Sequence, residues 1–340
     1  MKMKKIIIYI VLVTVAAAAF SWYLNTRSEK DAEKKPVDST SMPVIVWDKE
    51  CKYQNTLKCA DILSPVLFRM DENGDFEHLS SKEFTDSINL EIWGVFTNGF
   101  DPDITRGIMQ DAEKRSSICD KIVSLCTEYE IEGANIDFEN MYSDDRELFS
   151  EFIKELSEKL HENGKILSVD VTKINRGSMF YSMCYDRAEI SKYADFVILM
   201  GYDQYPRTSK VPGPVSGIDW VENAISDMLS EVPTEKFILG IPFYTRLWEE
   251  KDGTVISSNA IAMNESENIK IENGLTAIKD DSGLDYFEFY KDGSKFSVWQ
   301  ENENSLNSRI ELAKKHRLKG IACWCLGFEN EKADEILSEI

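Results

Sequence analysis

Histidine, glycine-rich turns and positive charge are scarce in this sequence, and each shortage excludes a class of function. The three histidines, His78, His161 and His316, are scattered and none accompanies a cysteine cluster, so no metal site is indicated. No glycine-rich phosphate turn is present, and no motif for a cofactor appears. With 39 Lys and Arg against 60 Asp and Glu, the formal net charge is −21. Nucleic acid is therefore not expected as a partner.

The N-terminal segment, residues 1–24, has the composition of a membrane-targeting sequence. Three lysines among the first five residues precede an uncharged apolar run over residues 6–24, which approaches the length of a membrane span. Basic residues before such a run keep the N-terminus in the cytoplasm and send the rest outside. We predict a single-pass anchor in the cell membrane, with a signal peptide cut near residues 16–19 as the alternative. Both fates predict an extracytoplasmic protein.

Residues 25–42 are rich in charged and hydroxyl side chains and offer little to bury. This composition predicts a flexible linker between the membrane segment and the folded part. The folded part is expected over residues 43–340, and a hydrophobic content of 43% in a chain of 340 residues is ample for one large core.

Seven cysteines are an odd number for an exported chain. Cys119 and Cys126 lie about 10.5 Å apart along a predicted helix, too far to form a disulfide. Cys51 and Cys59 are the only near pair with the freedom of a loop. Most of the cysteines are therefore expected to be small core residues.

Eight short, apolar, β-rich runs alternate with helical periodicity along the folded part. The predicted strands are 44–47, 64–69, 91–97, 134–139, 166–171, 196–202, 237–244 and 320–326. Helices are predicted over 104–129, 144–163, 219–229 and 305–315. Eight such units predict an α/β fold, a (β/α)8 TIM barrel, whose active site lies at the C-terminal ends of the strands. A doubly wound sheet is the alternative, although it usually has fewer strands.

Residues 249–298 depart from this alternation. Four turn signals interrupt them: Asp252-Gly253, Asn273-Gly274, Ser282-Gly283 and Asp292-Gly293. They predict a small α+β insertion between the seventh strand and the last helix. Because long ordered insertions tend to be functional, we expect it to form one wall of a substrate groove; a structural elaboration without a role is the alternative.

The predicted fourth strand carries a row of polar side chains. Asn135, Asp137 and Glu139 alternate with Ile136 and Phe138, so the polar groups share one face. Neighbours on that face lie about 6.6 Å apart. Carboxyl groups this close oppose each other's ionisation, so one is expected to hold a proton near neutral pH. A carboxylic acid beside a carboxylate suits the cleavage of a glycosidic bond. The alternative is an edge strand with one solvent-exposed face and no catalytic role.

Polar and aromatic side chains also fall at the C-terminal ends of other predicted strands. They are Asn98, Met200, Tyr202, Asp203, Tyr244, Arg246 and Trp324. Singly, each aromatic residue is more often part of a core. Together, these residues outline a pocket with acids, a phenol and an indole, which suits a carbohydrate ring.

These motifs resemble those of glycoside hydrolase family 18. The row Glu132, Asn135, Asp137, Glu139 has the spacing of the family's D-x-x-D-x-D-x-E signature, and Met200-Gly201-Tyr202-Asp203 is similar to its M-x-Y-D. Trp324 lies where the family has the tryptophan that floors the subsite of the cleaved sugar. The resemblance extends from about residue 43 to the C-terminus. It is closest to a branch of spore-cortex and cell-wall N-acetylglucosaminidases, in residues 134–140, 240–248 and 298–302.

The chain departs from the family's pattern at several positions. Glu132 and Asn135 replace two of the signature acids, and Cys325 stands where the family often has arginine. Asn135 is usual in this branch, but it removes a negative charge that would help Asp137 to gain and lose its proton during the reaction. The peptidoglycan-binding repeats common in the branch do not appear in the sequence, and the membrane segment is expected to provide localisation.

The resemblance implies retaining, substrate-assisted hydrolysis of β-linked N-acetylglucosamine polymers, foremost peptidoglycan or spore cortex. Glu139 would protonate the leaving oxygen and later act as base toward water, while the substrate's acetamido oxygen attacks the anomeric carbon. Asp137 would accept the acetamide N–H, and Tyr202 would donate to the acetamide oxygen. Substrate binding is expected of Asn135 and the remaining strand-end residues, and Asn135 is expected to hydrogen-bond and orient Asp137.

Other functions fit parts of the same pattern. A non-catalytic carbohydrate-binding barrel would keep the aromatics and lose the acid, so the presence of Glu139, Asp137 and Tyr202 together argues against it. A membrane-tethered scaffold that docks a partner would not be stabilised by N-acetylglucosamine oligomers. Within the enzyme class, a chitinase or an endo-N-acetylglucosaminidase remains open.

Overall fold

A computed structural model describes residues 42–340. The predicted membrane segment 1–24 lies outside the described residues, as does the predicted linker 25–42 apart from Met42. None of the helices in the described part has the length and apolar character that a membrane span requires.

Strands from the whole described part form two sheets. They are β1 (Val44–Asp48), β2 (Ile62–Met70), β3 (Phe76–His78), β4 (Glu91–Thr97), β5 (Gly133–Asp137), β6 (Ile166–Thr172), β7 (Phe196–Met200), β8 (Phe237–Pro242), β9 (Tyr244–Lys251), β10 (Thr254–Ala262), β11 (Ile278–Lys279), β12 (Asp285–Lys291), β13 (Ser294–Gln300) and β14 (Gly320–Trp324). In the larger sheet, β1, β2, β4, β5, β6, β7, β8 and β14 pair in this order, and β14 pairs again with β1. All of these pairings are parallel. The closed barrel confirms the predicted (β/α)8 fold.

The helices lie between the barrel strands. They are α1 (Lys82–Asp86), α2 (Pro102–Met109), α3 (Ala112–Glu128), α4 (Arg146–Glu162), α5 (Arg187–Tyr193), α6 (Ile218–Met228), α7 (Met263–Glu272), α8 (Glu303–Lys315) and α9 (Glu331–Leu337). The prediction of one helix over 104–129 is wrong, because Asp111 starts a new helix there. Its side chain accepts hydrogen bonds from Glu113 N and Lys114 N at 3.0 and 3.2 Å, which caps α3.

The barrel interior changes from apolar to polar along the strands. Ile45, Ile62, Trp93, Ile198 and Ile238 form an apolar cluster inside the barrel. Further along the strands, the inward side chains Ser64, Asn135, Ser168 and Asp170 are buried and polar. Alternation along each strand keeps both sets on the inner face. The chemistry-bearing side chains are therefore gathered toward the C-terminal ends of the strands.

The second sheet occupies the region for which an insertion was predicted. Its strands run in the order β10-β9-β13-β12-β11, all antiparallel, with α7 beside them. It spans residues 244–300 rather than 249–298. A buried ion pair holds the chain where it leaves β13 and enters α8. Arg309 Nη1 donates to Glu301 Oε2 at 2.6 Å, and Arg309 Nε donates to Ser216 Oγ at 3.1 Å. The loop after β7 and the end of the insertion are thus tied to α8.

All seven cysteines lie in the described part as free thiols. Six are buried and Cys51 is partly exposed, in agreement with the expected role as small core residues. Cys51 and Cys59, the pair with the best chance of bridging, are not bonded.

Candidate active site

A cavity of about 630 Å³ opens at the C-terminal ends of β5, β6 and β7. Four of the predicted site residues line it, namely Glu139, Met200, Tyr202 and Asp203. A volume of this size accommodates sugar rings. The other predicted residues are not among those that line it.

The backbone around Glu139 is held by two side chains from elsewhere in the barrel. Asn98 Oδ1 accepts from Glu139 N at 3.1 Å, and Asn98 Nδ2 donates to the Glu139 carbonyl at 2.8 Å. Tyr185 donates its hydroxyl to the Phe138 carbonyl at 2.8 Å. Asn98 is only 1% exposed. Asn98 thus fixes Glu139, and the expectation that it also binds substrate stays a prediction.

The carboxyl group of Glu139 is protonated at neutral pH. Its partial burial, followed by the nearby Asp137 and Asp203 carboxylates, raises the pKa of Glu139 to about 8. The expectation that one carboxyl of the row holds a proton is thus supported, although burial rather than Asp137 is the largest cause. A protonated acid at the cavity wall is what the first step of glycoside cleavage requires.

Asp137 lies beside a second acid that the sequence analysis missed. In the parallel register, Asn135 pairs with Ser168 and Ile136 with Val169, so Asp137 and Asp170 follow as neighbours on adjacent strands. Burial and the Asp170 carboxyl raise the pKa of Asp137 well above its ordinary value, and burial raises that of Asp170 to about 8. Asp137 Oδ1 is buried and has no hydrogen-bond partner among the described residues.

Asn135 lies beneath these acids and is fully buried. Its Oδ1 accepts from Trp47 Nε1 at 3.0 Å, and its Nδ2 donates to Ser168 Oγ at 3.0 Å and to Asp170 Oδ1 at 2.8 Å. The expectation that Asn135 hydrogen-bonds Asp137 is wrong, since its bonds go to Trp47, Ser168 and Asp170. Its expected contact with substrate stays a prediction. The carboxyl group absent at position 135 is thus replaced by that of Asp170, on β6.

Tyr202 stands on the cavity wall beside two indole rings. Its ring stacks on Trp324 with centroids 6.3 Å apart and meets Trp47 edge-on at 6.5 Å. A Cβ on Gly201 would lie 2.5 Å from the Gly240 carbonyl oxygen, so glycine is required for this approach of β7 to β8. Burial raises the pKa of Tyr202 well above its ordinary value. Its hydroxyl therefore keeps its proton and can act as a donor.

Asp203 is held by two residues of β9. The Tyr244 hydroxyl donates to Asp203 Oδ1 at 2.6 Å, and Arg246 Nη2 donates to the same oxygen at 2.7 Å. Tyr244 and Arg246 are only 4% and 6% exposed. They therefore position Asp203 and do not line the cavity, and their expected role in substrate binding stays a prediction.

Three residues of the site were missed by the sequence analysis: Asp170, Trp47 and Tyr185. A signal existed for Asp170, because Ser168, Asp170 and Thr172 alternate with valines in the same way as the row on β5. No local pattern distinguishes Trp47 or Tyr185 from core aromatics. In residues 42–340, no group of three or more His, Cys, Asp or Glu side chains has the arrangement to hold a metal ion.

Comparison with known proteins agrees with this geometry. Residues 54–329 match the model of the family described as glycosyl hydrolases family 18. The chain is 28% identical to the uncharacterized glycosylase YvbX of Bacillus subtilis (strain 168), over 97% of both chains. It is 26% identical to a cortical fragment-lytic enzyme of Bacillus anthracis, over 70% of this chain and 56% of that one. The crystal structure of the Bacillus cereus spore cortex-lytic enzyme SleL matches with a TM-score of 0.80 at 20% identity, over 90% of this chain and 76% of that one.

A closed barrel with carboxyl groups gathered at the C-terminal ends of its strands defines a glycosidase-like enzyme class. Because the family model covers most of the sequence, the chain belongs to glycoside hydrolase family 18, as its motifs predicted. Its activity is the hydrolysis of glycosidic bonds. The likeness to SleL, at low identity, supports the fold.

Proposed function

We propose that this enzyme hydrolyses β-linked N-acetylglucosamine polymers with retention of anomeric configuration, through the substrate's own acetamido group. The observation that carries this proposal is the pairing of a protonated Glu139 with the buried, unpartnered Oδ1 of Asp137. An acid is needed for the leaving oxygen, and an acceptor is needed for an amide N–H.

In the first step, Glu139 gives its proton to the glycosidic oxygen as the bond between that oxygen and the anomeric carbon breaks. The acetamido oxygen attacks the anomeric carbon, and a cyclic oxazolinium ion forms. Asp137 accepts the acetamide N–H and balances the positive charge. The Tyr202 hydroxyl, which remains protonated, donates to the acetamide oxygen and fixes its direction of attack.

In the second step, water attacks the anomeric carbon, Glu139 takes a proton from the water, and the acetamido group is restored. Asp137 must be ionised while the oxazolinium exists and is more easily protonated once it is gone. Asp170 lies on the neighbouring strand and shares the buried charge of Asp137, so one proton held between the two acids can move as the oxazolinium forms and collapses.

The proposed substrate is peptidoglycan or spore cortex. Sequence similarity to a cortical fragment-lytic enzyme supports this choice. An extracytoplasmic location at the cell membrane, based on the composition of residues 1–24, would give the enzyme access to such a polymer. Fractionation of cells, with protease added from outside, tests that location.

The variant Glu139→Gln tests the catalytic assignment. It keeps the size of the side chain and removes the proton donor, so kcat on N-acetylglucosamine oligomers should fall by about 10²-fold or more while oligomer binding persists. Glu128→Gln is the matched control, because Glu128 is exposed at the C-terminal end of α3, on the opposite side of the barrel from the cavity. Hydrolysis by Glu139→Gln at the wild-type rate would reject the assignment.

The role of the acetamido group needs a different substrate. The wild-type enzyme should cleave N-acetylated oligomers and leave de-N-acetylated analogues of the same length intact, with products followed by mass spectrometry. Equal cleavage of both would exclude participation of the substrate. Binding of oligomers without cleavage of any of them would identify a carbohydrate-binding barrel instead.

A further inference from the structure

A second groove lies between the barrel and the insertion. One side is formed by residues 207–210, from the loop that connects β7 to α6, and the other by residues 255–259 of β10. Its volume is about 250 Å³. Within residues 42–340, β10 pairs only with β9, so it is an edge strand whose outer edge is unpaired.

The groove adjoins the cavity that holds Glu139. Thr208 lines both, and Asp203, Gln204 and Pro206 of the same loop line the cavity. The loop is held at its base, because Trp248 Nε1 donates to the Gly213 carbonyl at 2.8 Å and Ser216 is bound by Arg309. A polymer that extends from the cavity along this loop would enter the groove.

The groove presents two cations in an otherwise acidic chain. Arg207 and Lys210 are exposed, and within residues 42–340 neither forms an ion pair or a hydrogen bond. In a chain with a formal net charge of −21, these two side chains give the loop a local positive charge. No acid is among the residues that line the groove within residues 42–340.

A buried hydroxyl group in the same groove also lacks a partner. Ser258 is 7% exposed, and its Oγ has no hydrogen-bond partner among the described residues. A buried donor without an acceptor costs free energy unless a ligand satisfies it. Ser258 belongs to the β10 side of the groove, and Arg207 and Lys210 belong to the loop on the other side.

We propose that this groove binds a carboxylate group carried by the substrate, and that the enzyme therefore prefers an acidic glycan to a neutral one. Guanidinium, ammonium and hydroxyl donors together match a carboxylate. In peptidoglycan such groups occur on the lactyl ether of muramic acid and on the stem peptide, whereas chitin has none. This inference rests on the proposed function, because it assigns the substrate class of the same active site.

The test is the double variant Arg207→Gln/Lys210→Gln, assayed on three substrates of equal glycan length. These are a chitin oligomer, a peptide-free glycan with lactyl carboxylates, and the same glycan with stem peptides. The ratio of kcat/KM for acidic over neutral substrate should fall by about fivefold to tenfold, which is the effect expected of two exposed charge pairs. In the wild type, this ratio should also fall as salt is raised, because exposed charges are screened.

The double variant Lys251→Gln/Lys291→Gln is the matched control. It removes the same charge from exposed positions of the same sheet that do not line the groove. A fall in the ratio with both acidic glycans assigns the lactyl group, and a fall only with the peptide-bearing glycan assigns the stem peptide. An unchanged ratio, or an equal fall in the control, overturns the inference.

A binding measurement separates this inference from the proposed function. In the Glu139→Gln background, calorimetry gives the dissociation constants of the acidic and neutral oligomers without turnover. Tighter binding of the acidic oligomer that is lost in Arg207→Gln/Lys210→Gln supports the groove even if the wild type hydrolyses none of the three substrates. In that case only the proposed function fails. Equal binding of both oligomers rejects the groove.

Discussion

The buried acids Asp137 and Asp170 make the stability of this barrel depend on pH in a predictable direction. The pKa of Asp170 rises from an ordinary 3.8 to about 8 in the fold. An unfolded chain therefore loses this proton near pH 4, while the folded chain keeps it until about pH 8. Because the folded state binds more protons in that window, the free energy of unfolding falls as pH rises from 4 to 8.

The variant Asp170→Asn removes this dependence and preserves the shape of the site. The amide oxygen that it introduces can still accept the hydrogen bond that Asn135 Nδ2 gives at 2.8 Å to the native carboxyl group. A rise of about 4 pH units at about 1.4 kcal/mol each sets an upper limit of ~6 kcal/mol. Because Asp137 shares the titration, we expect about half of that limit. The variant should match the wild type at pH 4 and exceed its stability by about 3 kcal/mol at pH 9.

Urea unfolding at pH 4, 7 and 9 measures this difference. The control is Asp252→Asn, the same substitution at an exposed turn where the backbone φ of 50° suits asparagine. The variant should also lose turnover, because Asp137 loses the acid with which it shares a proton. A difference in stability between Asp170→Asn and the wild type that stays constant from pH 4 to 9 would refute the reasoning.

Three further outcomes follow from the same structure. The pH profile of kcat/KM should decline above about pH 8, as Glu139 ionises, and a profile that stays flat to pH 10 would contradict its role as the acid. Tyr202→Phe should lower kcat by about 10²-fold with little change in KM, measured on N-acetylated oligomers; an effect on KM alone would point to simple binding. Arg309→Met should destabilise the fold by about 3–5 kcal/mol in urea unfolding, because it leaves Glu301 buried without its partner. Adding Glu301→Leu should recover much of that loss, and no recovery would mean that packing dominates.

The barrel strands were predictable because each is a short apolar run with its own local signal. All eight predicted runs coincide with barrel strands, and the errors are at their ends. The break between α2 and α3 was missed because helical periodicity continues across it, and only the capping by Asp111 reveals the start of a new helix. The predicted membrane segment stays a prediction.

The location of the candidate active site could be predicted from the sequence, but the roles of several of its residues could not. Strand-end position marks a residue as close to the cavity, but it does not say whether the side chain faces substrate or protein. Asn98 hydrogen-bonds Glu139, which is 41 positions away in the sequence, and Arg246 hydrogen-bonds Asp203, which is 43 positions away. Only the folded chain brings such partners together. Asp170 was not predicted because the alternating pattern on β6 contains no glutamate that corresponds to Glu139, which marked β5 as catalytic.

The distribution of thiols offers a built-in reporter of local opening. Burial raises the pKa of Cys119, Cys126, Cys184 and Cys325 to about 12, and that of the partly exposed Cys51 to about 11. Such thiols alkylate slowly while the fold is intact. They occur on the loop after β1, on α3, before α5 and beside β14. Pulse alkylation followed by peptide mapping would therefore measure the rate of local unfolding in each of these regions of the wild-type enzyme, without engineered labels.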